Sequence, residues 1–132
     1  MPGRAGFDYA VVRLVPRVER EEFLNVGVIL HAPTRGFLGC LVAMDVARVK
    51  VFADVDVAAV SRHLDGFKRV CAGDRSAGPI AGMPATERFH WLVAPRSTMI
   101  QSSPVHGGVC DDPAEALREL FERRVSVMGS QL

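Results

Sequence analysis

Two apolar segments, NVGVILH (Asn25–His31) and FLGCLVAM (Phe37–Met44), are separated by the turn-forming run Pro33-Thr34-Arg35-Gly36. Segments of this kind on either side of a turn signal read as two strands, 25–31 and 37–44, joined in a hairpin. A hairpin fixes antiparallel pairing, and every later element has to be compatible with it. On the first strand Val26, Val28 and Leu30 are expected on one face, with Asn25, Gly27, Ile29 and His31 on the other. Gly27 and Gly39 stand in mid-strand, where glycine often marks a bulge or the close approach of another group.

Phe7–Val15 reads as a further strand, apolar on both faces and therefore internal to the sheet, with Pro16 ending it. Arg17–Glu22 is a charged turn or a short helical piece. Asp45–Phe52 fits a short helix better than a strand, with Asp45 as its cap. Asp56 is a stronger N-cap, and Val57, Val60, Leu64, Phe67 and Cys71 follow it at helical spacing until Gly73. Residues 72–87, rich in glycine and proline, read as a long loop. Arg88–Ala94 reads as a strand with Phe89, Trp91 and Val93 on one face. Asp112-Pro113-Ala114-Glu115 opens a last helix, 113–126, with a capping-box pattern. Leu117, Leu120, Phe121 and Val125 form its apolar stripe, and Arg123 and Arg124 complement the dipole in its last turn. The expected fold is α+β in one domain, 1–132. It is a partly antiparallel sheet of about four or five strands, with two or three helices packed mainly on one face.

With 132 residues, 48% of them hydrophobic, such a domain can bury a core without metal or disulfides. No apolar run approaches the ~20 residues that cross a bilayer, and Phe7–Val15, broken by Asp8 and Arg13, does not read as a signal sequence. Cys40, Cys71 and Cys110 are odd in number and widely spaced, which favours a reducing compartment. A cytoplasmic protein is expected. The net charge of +1 supplies no field for nucleic acid. Arg4, Arg13, Arg17 and Arg20 are interleaved with Glu19, Glu21 and Glu22, so that patch nearly neutralises itself.

The stretch APRSTMIQSSPVHGGVC (Ala94–Cys110) gathers most of the chain's candidate chemistry. Read as a loop, it could bind an anion through Arg96, Ser97, Thr98, Gln101, Ser102, Ser103 and His106. Equally, those side chains could satisfy the backbone of an irregular segment. His106 and Cys110, with His90 nearby, are conceivable zinc ligands, but paired motifs are missing and no metal or other cofactor is expected. Cys110 with His106 and Asp111 is conceivable as a nucleophile and base, without the geometry that catalysis needs. Gly107-Gly108 could form an anion nest, but no phosphate-binding motif surrounds it.

The segments EEFLNVGVILHAP and APRSTMIQSSPVHGGVCDDP, joined to YAVVRLVP and LRELFERRV, resemble the uncharacterised bacterial domain-of-unknown-function family 3037. The resemblance runs from about Tyr9 to Val125, and Glu22-x-x-Asn25-x-Gly27 is its most specific part. It implies a short bacterial protein without an established activity, often encoded beside a kinase-like protein similar to the HipA toxins. It also implies Asn25, Arg96, Gln101 and His106 as site residues, to which the polar stretch adds Ser103.

Two functions fit these observations. One is a non-enzymatic accessory module that binds a protein partner, with a HipA-like kinase as candidate and a homodimer as another assembly. The other is a small enzyme or ligand-binding protein that uses the 94–110 segment on a phosphate-bearing compound. An open strand edge or apolar patch would favour the first; a concave pocket with converging polar groups would favour the second. The 94–110 segment and Glu22–Gly27 are expected to meet in space.

Overall fold

A computed structural model, describing residues 3–52, 54–96 and 98–125, places strand β1 (Ala5–Leu14) at the centre of a five-stranded antiparallel sheet. β2 (Leu24–Ala32) pairs with one edge of β1, and β3 (Phe37–Val42) extends the sheet beyond β2 through the expected hairpin. Gly36 makes the turn in the left-handed conformation, at φ 59°. The other edge of β1 pairs with β4 (Ile100–Ser102) and then with β5 (His106–Cys110). The internal position of β1 follows from its sequence, because a strand apolar on both faces needs cover on both.

Helices α1 (Val46–Phe52), α2 (Val57–Ala72) and α3 (Ala85–Val93) stand on one side of the sheet, and α4 (Pro113–Arg124) on the other. The larger core joins Ala10, Val12, Leu14, Val26 and Ile29 of the sheet to Val49 of α1, Val60, Leu64 and Phe67 of α2, and Phe89 and Leu92 of α3. The smaller one joins Val28, Leu30 and Ala32 to Leu117, Leu120 and Val125. Asp45, Asp56 and Asp112 cap their helices, each accepting a backbone N–H with its carboxylate. Gly73 stops α2 at φ 77°. Glu115 does not turn back to the cap of α4; it pairs with Arg118.

Three expectations are corrected. Residues 88–94 are not a strand; 88–93 belong to α3, which begins at Ala85 and so also shortens the expected 72–87 loop. Behind Pro84, Phe89 and Leu92 are buried at a spacing of three while Trp91 stays 41% exposed, a helical rather than an alternating pattern. The alternation along β2 breaks at a bulge, where the register shifts between Val12 and Arg13 of β1. Val26 therefore joins Ile29 in the larger core, away from Val28 and Leu30. Gly27 accompanies the bulge, since a Cβ there would lie 2.6 Å from Val42 Cγ1 and 2.7 Å from the Leu41 carbonyl oxygen. Finally, 94–110 is not a loop across the end of the sheet; its second half is one of the sheet's two edge strands. Ser97 and residue 126, expected respectively in the polar stretch and in the last helix, lie outside the described residues.

β4 and β5 act as one bulged strand, because Ser102 to His106 spans the β1 residues Val12 to Tyr9. At the break the Ser103 N–H donates to the Val11 carbonyl at 2.8 Å, and the Val11 N–H donates to Ser103 Oγ at 2.8 Å. Ser103 is 4% exposed, so its hydroxyl replaces a main-chain acceptor in the interior. Ser103→Ala is expected to cost about 1–3 kcal/mol by orphaning the Val11 amide. Asp112→Ala should cost about 1 kcal/mol through its cap, and Leu120→Ala about 2–5 kcal/mol through a cavity. Urea titration checks all three; negligible shifts throughout would contradict these packing roles.

Candidate functional site: a basic groove and an open strand edge

The C-terminal end of α3 and the following turn lean over α2 and leave a groove of about 470 Å³. Its floor is apolar, with Phe67 and Val70 from α2, Leu92 from α3 and Ile100 from β4. Its rim carries Arg62, His63 and Arg69 from α2, Trp91 from α3, and Arg96, Thr98 and Gln101 from the chain that follows. The spacing 62, 66, 69 on α2 brings Arg62, Gly66 and Arg69 to the same side.

The three arginines differ. Arg69 is held by Asp65 and Asp74, at 3.8 and 3.3 Å. Hydrogen bonds from the Ser76 hydroxyl and backbone N–H, and from Arg69, keep the Asp74 carboxyl below the usual range. Arg62 and Arg96 have no carboxylate within 4.0 Å among the described residues. Arg96 lies with its guanidinium carbon 4.4 Å from the centroid of the Trp91 ring, and donates to the Trp91 and Ala94 carbonyls. Those contacts fix the fork and leave other N–H groups unused.

Of the residues singled out in the sequence, Arg96, Thr98 and Gln101 line this groove. Gln101 folds back to donate to the Thr98 carbonyl at 2.9 Å. Asn25 is elsewhere: its Nδ2 donates to the Arg124 carbonyl at 3.1 Å, and so holds the end of α4, while its Oδ1 is buried without a partner among the described residues. Ser103 is the interior peg described above. His106 lies on β5 with its ring 5.5 Å from that of Tyr9. The register sets Asn25 and Gln101 on opposite sides of Arg13, about 10 Å apart with β1 between them, so the two segments flank β1 rather than meet at these residues. Arg62, His63 and Trp91 belong to no motif, and nothing in the sequence marks them as neighbours; only the helical form of 85–93 brings Trp91 to the groove.

His106 and Cys110 are four residues apart on one extended strand, a separation of about 13 Å. They cannot close on one ion or exchange a proton directly. Among the described residues no cluster of three His, Cys, Asp or Glu side chains could hold a metal. Burial pushes the Cys110 thiol up. A hydrogen bond with Cys40, and then burial, does the same to Cys71.

The free side of β5 is the second feature. The main-chain groups of Val11 turn toward Ser103, and Val15 donates to Met99. Odd-numbered residues of β1 thus bond to this edge, and the main-chain groups of their partners His106, Gly108 and Cys110 face inward. The N–H and C=O groups of Gly107 and Val109 point outward. Val109 is 59% exposed, Val105 at the start of the stretch is exposed as well, and no residue from Val105 to Cys110 carries a fixed charge.

His31, on β2, is buried beneath α3, with Nε2 3.2 Å from Thr86 Oγ1 and its ring 5.0 Å from Phe89. Burial first, and then His90, lower its pKa, opposed by Asp8. Because the folded value lies below the unfolded one, its neutral form favours the fold. That contribution is full above the ordinary value of 6.5 and is lost as pH falls through the window below it. The melting temperature should fall between pH 7 and pH 5 by more in the wild type than in His31→Gln; equal slopes would remove His31 as the cause.

No helix among the described residues is long and apolar enough to cross a membrane. No curated protein and no solved structure matches the chain. A family model, Protein of unknown function (DUF3037), matches residues 9–125, from β1 through the end of α4, and the chain belongs to that family.

Proposed function

We propose that this protein is a non-enzymatic accessory module that binds a protein partner by accepting an extended segment along the free edge of β5. The observation that carries this reading is the outward-facing backbone of Gly107 and Val109, on a stretch where Val105 and Val109 are both exposed. Sheet edges are commonly blunted by charge, proline or a covering element. Pro104 and the bulge protect only the start of this one. Strand addition supplies affinity through main-chain hydrogen bonds, and Val105 and Val109 offer apolar contacts on the same face. A HipA-like kinase, implied by the family resemblance, is the candidate partner, in a cytoplasmic setting consistent with three free thiols.

A second occupant is favoured by one specific feature. Val105 and Val109 flank Gly107 symmetrically, so antiparallel pairing of two copies about Gly107 would set each Val105 opposite the other copy's Val109. Such a dimer would use the same edge.

Co-expression with the neighbouring kinase-like protein should give a complex that survives purification. A Cβ at position 107 would meet nothing closer than 3.6 Å, so Gly107→Pro removes an outward N–H without crowding the chain. Gly107→Pro and Val109→Lys should release the partner while leaving the melting temperature nearly unchanged. Failure of the wild type to co-purify would overturn the kinase as partner. A complex indifferent to both variants would place docking elsewhere, and a dimer broken by the same variants in light scattering would favour self-pairing.

A further inference from the structure

We infer that the groove between α2 and α3 binds an organic phosphate, a compound with an anionic group and a flat or apolar body, of which a nucleoside diphosphate is an example. The site is separate from the β5 edge and does not depend on the partner reading.

The charge of the ligand follows from the rim. Arg69 is neutralised by Asp65 and Asp74, whereas Arg62 and Arg96 have no carboxylate within 4.0 Å among the described residues. His63 stands beside Arg62 on the rim. Two arginine forks with unused N–H groups suit phosphate oxygens, which accept several hydrogen bonds at once. Arg96 is already held in place by Trp91, so little of its freedom remains to be lost on binding.

The rest of the ligand follows from the floor. About 470 Å³ falls in the range of small-molecule sites and exceeds what a lone phosphate fills. Phe67, Val70, Leu92 and Ile100 would gain nothing from inorganic phosphate but would bury a ring or an apolar chain.

Gly66 is the independent observation. It lies inside α2, where glycine is costly relative to alanine. A Cβ there would meet nothing within 4 Å, so helix packing does not require its absence. A side chain at this position would project into the groove, and glycine keeps the groove open.

Trp91 is the only tryptophan of the chain, so its emission reports directly on the groove. Titration with ADP should give a saturable change in Trp91 fluorescence and a rise in melting temperature. Adenosine, which lacks the phosphates, and pyrophosphate, which lacks the body, should each bind at least about tenfold more weakly. Arg62→Ala and Gly66→Leu should weaken ADP binding by about tenfold or more. Gly66→Leu should do so without loss of stability, because it replaces glycine in a helix by a better helix former. The inference is overturned if ADP gives no saturable change, if adenosine or pyrophosphate binds as tightly as ADP, or if both variants bind ADP like the wild type.

Discussion

Val11 gives both of its main-chain groups to Ser103, one to the backbone and one to the hydroxyl. This exchange decides how the last third of the chain is laid down. β1 needs a partner along its second edge, since an unpaired strand at the centre of a sheet would leave buried amides without acceptors. The chain returning from α3 supplies that partner in two pieces, and the bulge between them would leave the Val11 N–H unsatisfied. The serine hydroxyl closes that gap. It then donates to the Pro104 carbonyl at 2.9 Å, so the peg satisfies its own proton as well.

The same peg divides the polar segment into two environments. Upstream, Arg96, Thr98 and Gln101 fall over α2 and shape the basic groove. Downstream, Val105–Cys110 runs along β1 with no further strand beside it among the described residues. The density of hydrogen-bonding groups between Ala94 and Cys110 therefore has a largely structural cause. Thr98 donates to the Ile100 carbonyl, Ser102 to that of Val93, and Gln101 to that of Thr98. These bonds replace regular secondary structure where the chain changes direction. Arg96 differs, because its structural contacts use only part of its donor set.

Much of the scaffold is legible in the sequence, and the reasons are local. A turn signal between two strands, an aspartate before α1, α2 and α4 and a glycine after α2 act within a few residues of themselves. What is not legible depends on distant neighbours. RFHWLV carries apolar residues that fit an alternating pattern as well as a helical one. Only the sheet, whose edge beside β1 is occupied by β4 and β5, decides that it must be a helix. The bulge at Gly27 is similar: the glycine signals an irregularity, but the resulting change of face for Val26 depends on how β1 pairs with it. The groove has no local signature either, because Arg62 and Trp91 become neighbours only once 85–93 is a helix packed on α2.

Glycines separate what the fold requires from what it merely tolerates. A side chain at Gly27 would collide with β3, and one at Gly108 would lie 2.6 Å from the Phe7 ring. The packing of this chain alone accounts for both. Gly66 and Gly107 are different, since a Cβ at either place meets nothing closer than 3.6 Å. Neither has a positive φ, so the backbone does not demand glycine there. A glycine in a helix or strand interior carries an entropic cost of roughly 0.5–1 kcal/mol relative to alanine. That cost has no return inside the molecule at these two positions. One opens onto the basic groove and the other onto the free edge of β5, and both surfaces carry unused hydrogen-bonding groups. Steric freedom alone does not single them out, since a Cβ at Gly6 in β1 would meet nothing closer than 4.0 Å; at Gly66 and Gly107 it coincides with unused hydrogen-bonding groups.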